Sequence, residues 1–507
     1  MNHWIALPIL LPFVSAILIE IVGRGRIAVR RGMGLASCLG TIAVGAAMVL
    51  LTRHGKVYTY ALGDWEAPFG VVLVLDGLSA LLVALTGVVS LFCLLYAMNR
   101  HDTRGKFFHF FIQMQVAGIC GAVLTGDLFS LFVFFEIMLL SSYNLLVYTG
   151  DKQSLRAGIH YVILNLTGSV LFLVAIGTLY GVTGTLNMAD MALRVSELGA
   201  EDIALVRAGA LLLTVVFLLK SAILPLYLWL PNVYSSAMAP VAALFAILTK
   251  VGVYAILRVS TLIFGPEAGV AADAIEPYLL PLATLTLLLG MTGALGSTHL
   301  RKMMGYLIVA SLGTMLMAMG LFTETGIASG LYYLPHSTVA IAMLFLLADL
   351  IGRQRGPEDD HLVVAHMPKQ SGVLGLIFFV GAIAVAGLPP FSGFLGKMWI
   401  LQASLPAPQV VIIWAVILST SVMALVAFSR AGSLIFWKGE EPPKGEPPRG
   451  DSQMGATAFE FLPVVGLLIC IVLYTAFAGP VAEFCTVTAQ NLLTPSVYIE
   501  AVLGAQR

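Results

Sequence analysis

Charge is what this sequence lacks. Of 507 residues only 11% are Asp, Glu, Lys or Arg, while 59% are hydrophobic. A soluble domain carries about 25% charged residues and needs them to cover its surface. Half that supply cannot wet a chain of this length, so a soluble α/β enzyme is excluded first and the solvent must be lipid. A surplus of either sign is missing too, with Lys plus Arg at 27 and Asp plus Glu at 27. No basic excess or recognition module points to nucleic acid. Cysteine is sparse and scattered, at Cys38, Cys93, Cys120, Cys470 and Cys485. These form no CxxC pair or metal-ligand cluster, which removes iron–sulfur and disulfide frameworks. No Walker motif offers direct ATP drive. No flavin, haem or nicotinamide signature stands out, so neither a cofactor nor a metal site is expected. The first stretch, MNHWIALPILLPFVSAILIEIVGRGR, has no basic region ahead of its apolar run and no small-residue cleavage site. It reads as a retained first span.

Long apolar runs are what the sequence has instead. A helix needs about 20 largely apolar residues to cross a bilayer. Fourteen segments qualify, at 3–23, 32–52, 71–97, 108–126, 128–148, 159–181, 207–229, 240–261, 277–296, 303–322, 331–352, 371–399, 409–435 and 457–478. Such unbroken runs disfavour barrel strands, which alternate over about ten residues. The predicted fold is an all-α polytopic membrane protein. A weaker segment at 485–503 reads as a surface or interfacial tail, 182–206 as holding a short surface helix, and 437–451 as a charged, proline-rich spacer.

Basic residues set the orientation. One set of loops holds eighteen: Arg24, Arg26, Arg30, Arg31, Arg100, Arg104, Lys106, Lys152, Arg156, Arg301, Lys302, Arg353, Arg355, Lys369, Arg430, Lys438, Lys444 and Arg449. The other set, with the C-terminus, holds six: Arg53, Lys56, Arg194, Arg207, Arg258 and Arg507. This bias places both termini outside the cytoplasm. Three basic residues fit neither set, because Lys220, Lys250 and Lys397 lie inside apolar runs. Their acidic counterpart is Glu136, nine residues after Asp127 and so about 13 Å along a helix. An ionised group at mid-bilayer costs about 2.5–3.5 kcal/mol on translocon scales. An amine in a low dielectric holds its proton less firmly, and a nearby carboxylate restores it. A Lys–Glu pair of this kind is suited to a proton relay. The competing reading is structural ion pairing or snorkelling. Lys106, Arg258 and Arg430, near span ends, are read as snorkelling, and Lys397, late in its run, is open to either reading.

Proline adds a second signal. Pro225 follows Lys220 within one span, and Pro389 and Pro390 precede Lys397 in another, beside Gly387 and Gly393. Proline removes a backbone donor and breaks a helix. Exposed backbone is tolerated in a membrane only inside protein or along a wet cavity. Two broken helices, each with a lysine near its break, mark a transporter built from two related halves. His336, which can exchange protons near pH 7, opens the span YLPHSTVAIAMLFLLADL; a capping or interface role is the alternative. Tyr143, Asn144, Tyr161, Asn165, Thr214, Ser221 and Thr249 are placed to hold waters between the charges. Asp76 reads as a helix cap or packing residue. The phenylalanines at 129, 132, 134 and 135 read as packing or lipid contacts. No carboxylate cluster reads as a dedicated cation cage.

The stretches GDLFSLFVFFEIMLLSSYNLL (126–146), NLTGSVLFLVAIGTLYGVTGTLNMADMA (165–192), LLKSAILPLYLWLPNVYSSAMAPVAALFAILTKVGVYAILR (218–258) and GLPPFSGFLGK (387–397) carry a resemblance. They resemble the antiporter-like, proton-conducting membrane subunits shared by respiratory complex I and the Mrp multisubunit cation/proton antiporters. YALGDWEAPFGVVLVLDGLSALL (60–82) and LYLWLPNVYSSAMAPVAALF are similar in particular to D subunits of the Mrp type. The resemblance implies fourteen helices, two inverted five-helix repeats, and breaks in helices 7 and 12. It divides the chain into three N-terminal helices (1–107), a first repeat (108–261), a second repeat (277–435), a charged cytoplasmic loop (436–456), and helix 14 with the tail (457–507). Glu136 matches the key glutamate of helix 5, Lys220 the broken-helix lysine, Lys250 the bridging lysine of helix 8, His336 the polar path of helix 11, and Lys397 the lysine of helix 12. Two positions depart from the pattern, with Ile341 where a second helix-11 lysine is common and Leu307 where helix 10 is often polar. The second-half route then relies on water, Ser311 and Thr314.

The implied function is a proton-moving subunit of a monovalent cation (Na⁺ or K⁺)/proton antiporter, a secondary transporter and not an enzyme. Its partners would be other membrane subunits in a bacterial inner membrane. The alternatives are a proton-pumping subunit of a complex I-like or hydrogenase complex, a non-conducting scaffold subunit, and a stand-alone transporter.

Overall fold

The computed structural model describes residues 3–199, 201–272, 274–439 and 455–504. The chain is an all-α polytopic membrane protein. Twelve described helices are long and apolar enough to cross a bilayer.

The first part comprises α1 (Leu7–Ile21), α2 (Ile27–Thr52) and α3 (Gly77–Arg100). Between α2 and α3 a short antiparallel ribbon pairs β1 (Tyr58–Ala61) with β2 (Val72–Leu75). The segment predicted as a span from 71 therefore starts as a strand. Asp76 ends it, its side chain accepting the Ser79 N–H in a capping box that sets the start of α3.

Next come α4 (Phe108–Leu124), α5 (Leu128–Leu146), α6 (Lys152–Thr183), the short α7 (Met188–Glu197), α8 (Ile203–Lys220), α9 (Trp229–Ser236) and α10 (Ala239–Leu262). Asp127, Asp151 and Asn187 cap α5, α6 and α7 with their side chains. The predicted surface helix is α7. Phe135 is buried against Phe172 and Phe217, and Phe129 is exposed. Every residue of α10 is buried, so it forms the axis of the molecule.

The remaining helices are α11 (Glu276–Gly296), α12 (Leu300–Met319), α13 (Glu324–Arg355), α14 (Ser371–Ala386), α15 (Ser392–Ala403), α16 (Val410–Gly432), α17 (Ala458–Ala476), α18 (Ala478–Leu492) and α19 (Pro495–Leu503). The predicted tail at 485–503 is two helices, whose Cys485, Thr488, Leu492 and Tyr498 are buried against the bundle. Most of the charged spacer, 440–454, lies outside the described residues.

Three groups of ion pairs tie the ends of the helices together. At the end of α3, Arg31 and His109 reach Asp102 at 2.7 and 3.1 Å. Burial opposes the Asp102 charge, but hydrogen bonds from His109 and Arg31 hold its pKa at about 2. Nearby, Arg353 of α13 binds Asp349 and Glu460, and Arg100 also reaches Glu460. At the opposite end of α3, Asp76 pairs with Arg258 of α10. Arg258 does not snorkel as expected; it is 3% exposed. A partnered guanidinium is easier to bury than a bare one, and the Asp76 carboxylate provides the partner. Lys106 and Arg430 are exposed.

Candidate functional site

The two proline-bearing segments are interrupted. α8 stops at Lys220, residues 221–228 are not helical, and α9 resumes at Trp229. A helix that stops leaves four carbonyls without partners. Here the chain satisfies three itself. Ser221 N–H donates to Phe217 O at 2.8 Å and Ile223 N–H to Leu218 O at 2.9 Å. Leu219 O accepts from Ala222 N–H and from Trp229 Nε1 at 3.3 Å. Leu224 N–H crosses to Thr286 Oγ1 of α11 at 3.0 Å.

Lys220 is thereby held at a helix end with its ammonium turned toward α6. Nζ donates to Asn165 O at 3.3 Å, Asn165 Oδ1 at 3.4 Å and Ser169 Oγ at 3.5 Å. Ser169 in turn donates to Glu136 Oε1 of α5. Lys220 and Glu136 form no ion pair within 4.0 Å; a single serine hydroxyl stands between them. Ser169 lies in a stretch that carried the resemblance, four residues after Asn165, but its role depends on which face of α6 meets α5. Only packing settles that. Tyr161 extends the row, bonding Ser142 Oγ at 3.0 Å and stacking on Trp229.

The second break is satisfied differently. α14 stops at Ala386 and α15 starts at Ser392. Ile383 O accepts the Gly387 and Leu388 N–H groups, and the last three carbonyls of α14 receive side chains. Lys397 Nζ donates to Ala386 O at 2.9 Å, Val385 O at 3.5 Å and Ser421 Oγ at 3.0 Å. This cation points inward to the negative end of a helix, where it is favoured, so it does not snorkel. His336 Nε2 lies 3.1 Å from Ala384 O and Nδ1 lies 2.8 Å from Ser392 Oγ. A carbonyl only accepts, so Nε2 carries the hydrogen and Nδ1 is free to take a proton from the serine side.

His336 does not open its span. α13 begins at Glu324, twelve residues earlier, which sets the imidazole about 18 Å along the helix. The polar, glycine-containing start ETGIASG conceals this half of the helix from a hydropathy reading. His336 and Lys397 line one small cavity with Ser311, Thr314, Ser337 and Thr420. Its volume, about 30 Å³, admits one or two waters. Leu307 and Ile341 line the same cavity.

Lys250 lies on α10, which packs against the first break at Gly252. It is 0% exposed and its Nζ has no protein hydrogen-bond partner; Thr249 Oγ1 and Ser221 Oγ are likewise buried and unpartnered. Among the other residues expected to hold water, Thr214 is bonded to its own helix at Ala210 O, and Asn144 is exposed and bonded to Leu140 O. Close approach depends on two glycines. A Cβ at Gly252 would lie 2.3 Å from Ser221 Oγ and 2.9 Å from its backbone N, and one at Gly393 would lie 2.1 Å from Ala384 O and 2.6 Å from His336 Nε2. In an ordinary helix Gly→Ala is stabilising by about 0.5–1 kcal/mol. Here the clash reverses the sign: Gly252→Ala is expected to destabilise by about 1–3 kcal/mol, read as a lower thermal midpoint of the purified protein. An unchanged or raised midpoint would show that α10 does not press on this break.

The family model described as NADH:quinone oxidoreductase/Mrp antiporter, transmembrane, matches residues 125–424, which include Glu136, Lys220, Lys250, His336 and Lys397. The chain is 38% identical to the D subunit of a probable K⁺/H⁺ antiporter of Rhizobium meliloti, with 100% of this chain and 98% of that one covered. It is 35% identical to the D subunit of an Na⁺/H⁺ antiporter of Alkalihalophilus pseudofirmus, over 99% of this chain and 100% of that one. Among solved structures it is similar to a chain of the Mrp complex from Dietzia sp. DQ12-45-1b, with a TM-score of 0.87, 26% identity, and coverage of 99% and 100%. A matched region that holds both interrupted segments, and relatives aligned from end to end, place this chain in the family of D subunits of Mrp-type cation/proton antiporters.

Proposed function

We propose that this chain moves protons across a bacterial inner membrane as one subunit of a hetero-oligomeric monovalent cation/proton antiporter. The observation that carries the reading is the row Glu136–Ser169–Lys220 at the end of α8. A carboxylate set one hydroxyl away from a buried amine stabilises the charged amine without locking it in a contact pair. Glu136 holds the proton on Lys220. When that hold weakens, the proton passes to Lys250, which has no protein acceptor of its own, and from there to His336 and Lys397. The ion gradients supply the drive, about 2.3 kcal/mol per charge per 100 mV.

In this reading the interrupted segments are single broken spans, α8 with α9 and α14 with α15. Counting α4 as a further span gives fourteen, with inverted repeats over 108–261 and 277–435. The eighteen-to-six distribution of basic residues supports both termini facing away from the cytoplasm. The test of the function is proton and cation flux in vesicles bearing the assembled complex, with and without the Glu136 carboxylate. A finer test is Ser169→Ala. Losing a hydrogen bond to a charged group costs about 1.5–3 kcal/mol, so antiport should slow about ten- to a hundredfold with assembly intact. Wild-type flux in Ser169→Ala would mean that Glu136 and Lys220 communicate without this hydroxyl.

A further inference from the structure

A row of buried polar side chains runs on from Lys250 beyond the relay. On α10, Lys250, Tyr254 and Arg258 follow at four-residue intervals, which stacks their side chains on one face. The row is about 12 Å long. It ends at Asp76, whose Oδ2 accepts from Arg258 Nη2 at 2.5 Å and whose Oδ1 accepts from Ser79 N–H at 2.9 Å. The guanidinium lies against two rings, 5.5 Å from the centre of Tyr254 and 4.9 Å from that of Tyr498 on α19. The Tyr498 hydroxyl sits by Gly126, where a Cβ would be 3.2 Å away. At the inner end of the row Lys250 Nζ is buried without a protein partner, and at its other end so are Arg258 Nε and Tyr498 Oη. Such atoms are rare in a packed core. Three of them along one helix face mark a strip that water enters, not one that side chains fill. The Asp76 end lies across the membrane from Arg100 and Glu460, because α3 separates the two.

We infer that Tyr254, Arg258 and Asp76 form an outward branch of the proton path from Lys250, with Tyr498 of α19 lying across its mouth. This rests on the relay reading above. The Lys250 ammonium gives its proton to a bridging water or to the Tyr254 hydroxyl, which releases its own proton onward. The proton reaches the Asp76 carboxylate when Arg258 lets go and then leaves to the outer water. Lys250 is left neutral, Asp76 is again ionised, and the ion pair re-forms behind the proton. Arg258 acts as a positioning residue, since it keeps its own charge throughout.

Tyr254→Phe keeps the ring and its contact with Arg258 and removes only the hydroxyl. In vesicles bearing the assembled complex it is expected to slow antiport at least tenfold and to flatten the dependence of rate on outer pH, leaving the response to inner pH. Tyr498→Phe should flatten the same outer response, and Asp76→Glu should retain more activity than Asp76→Asn. A Tyr254→Phe complex with the wild-type rate, or with an unchanged outer-pH response, overturns the branch; should that variant fail to assemble, the outer-pH response of Tyr498→Phe decides. If Glu136→Ala is inactive while Tyr254→Phe is normal, only the branch falls. If Glu136→Ala is fully active, the relay falls and the branch with it.

Discussion

Glu136→Ala is expected to bring antiport in the assembled complex down to background. The reason lies in what surrounds Lys220. Its three hydrogen-bond acceptors, at 3.3–3.5 Å, are neutral groups of Asn165 and Ser169. The compensating negative charge is Glu136, reached through Ser169. One intervening side chain apart, at an effective dielectric of about 20, two opposite charges attract by roughly 2–4 kcal/mol. Removing the carboxylate removes that term from the protonated amine and leaves the neutral amine untouched. A loss of that size is about a hundredfold in occupancy of the charged state, and the relay then begins with nothing to pass on. Glu136 is half-buried, so its loss leaves no large cavity and the complex should still assemble. Proton and cation flux in vesicles, with co-purification of the other subunits as the assembly control, checks both halves of the expectation. Full flux in the variant would sink the relay.

The second large effect separates function from stability. Lys250→Met is expected to abolish transport while leaving the thermal midpoint unchanged or raising it. An amine that is 0% exposed and bonded to nothing in the protein is a cost to folding, because its charge or its donors are withdrawn from water. Replacing such a group by an apolar one of similar length is often neutral or stabilising, and methionine adapts to an irregular space. A structural lysine would behave in the opposite way: its loss would lower the midpoint and transport would survive. That result would favour the scaffold reading, in which the buried charges only hold the helices and partner subunits together. Thermal unfolding and vesicle flux on the same preparation distinguish the two.

Much of this molecule could be read before folding, and the reasons are specific. Apolar runs are compelled by the width of the hydrocarbon layer, so 239–262, 276–296 and 458–476 fall within a few residues of their predicted bounds. Lys220, Lys250 and Lys397 could be isolated because a charge in an apolar run is costly enough to need a reason. Pro225 and Pro389, which lack a backbone donor, lie in stretches that are not helical, 221–228 and 387–391. Other features left no such trace. His336 sits mid-helix because α13 extends through a polar stretch that tertiary burial makes helical. Arg258 resembled any arginine at a span end until Asp76, 182 positions away in the chain, was brought against it. The ribbon of β1 with β2 arises from pairing of a segment whose apolar character alone reads as membrane helix.

The scarcity of charge in this chain has two consequences. The sequence by itself determined the solvent, the approximate spans and the identity of the few ionisable groups inside them. Each follows from a one-body transfer cost, borne by a residue whatever its neighbours are. Only the tertiary structure decided that Ser169 bridges Glu136 to Lys220, that the open carbonyls of α14 receive Lys397 and His336, that Lys250 is left without a partner, and that Asp76 and Arg258 close the far end of α10. Those are pair terms between residues distant in the chain. They exist only once helix faces have been chosen, and close packing makes that choice.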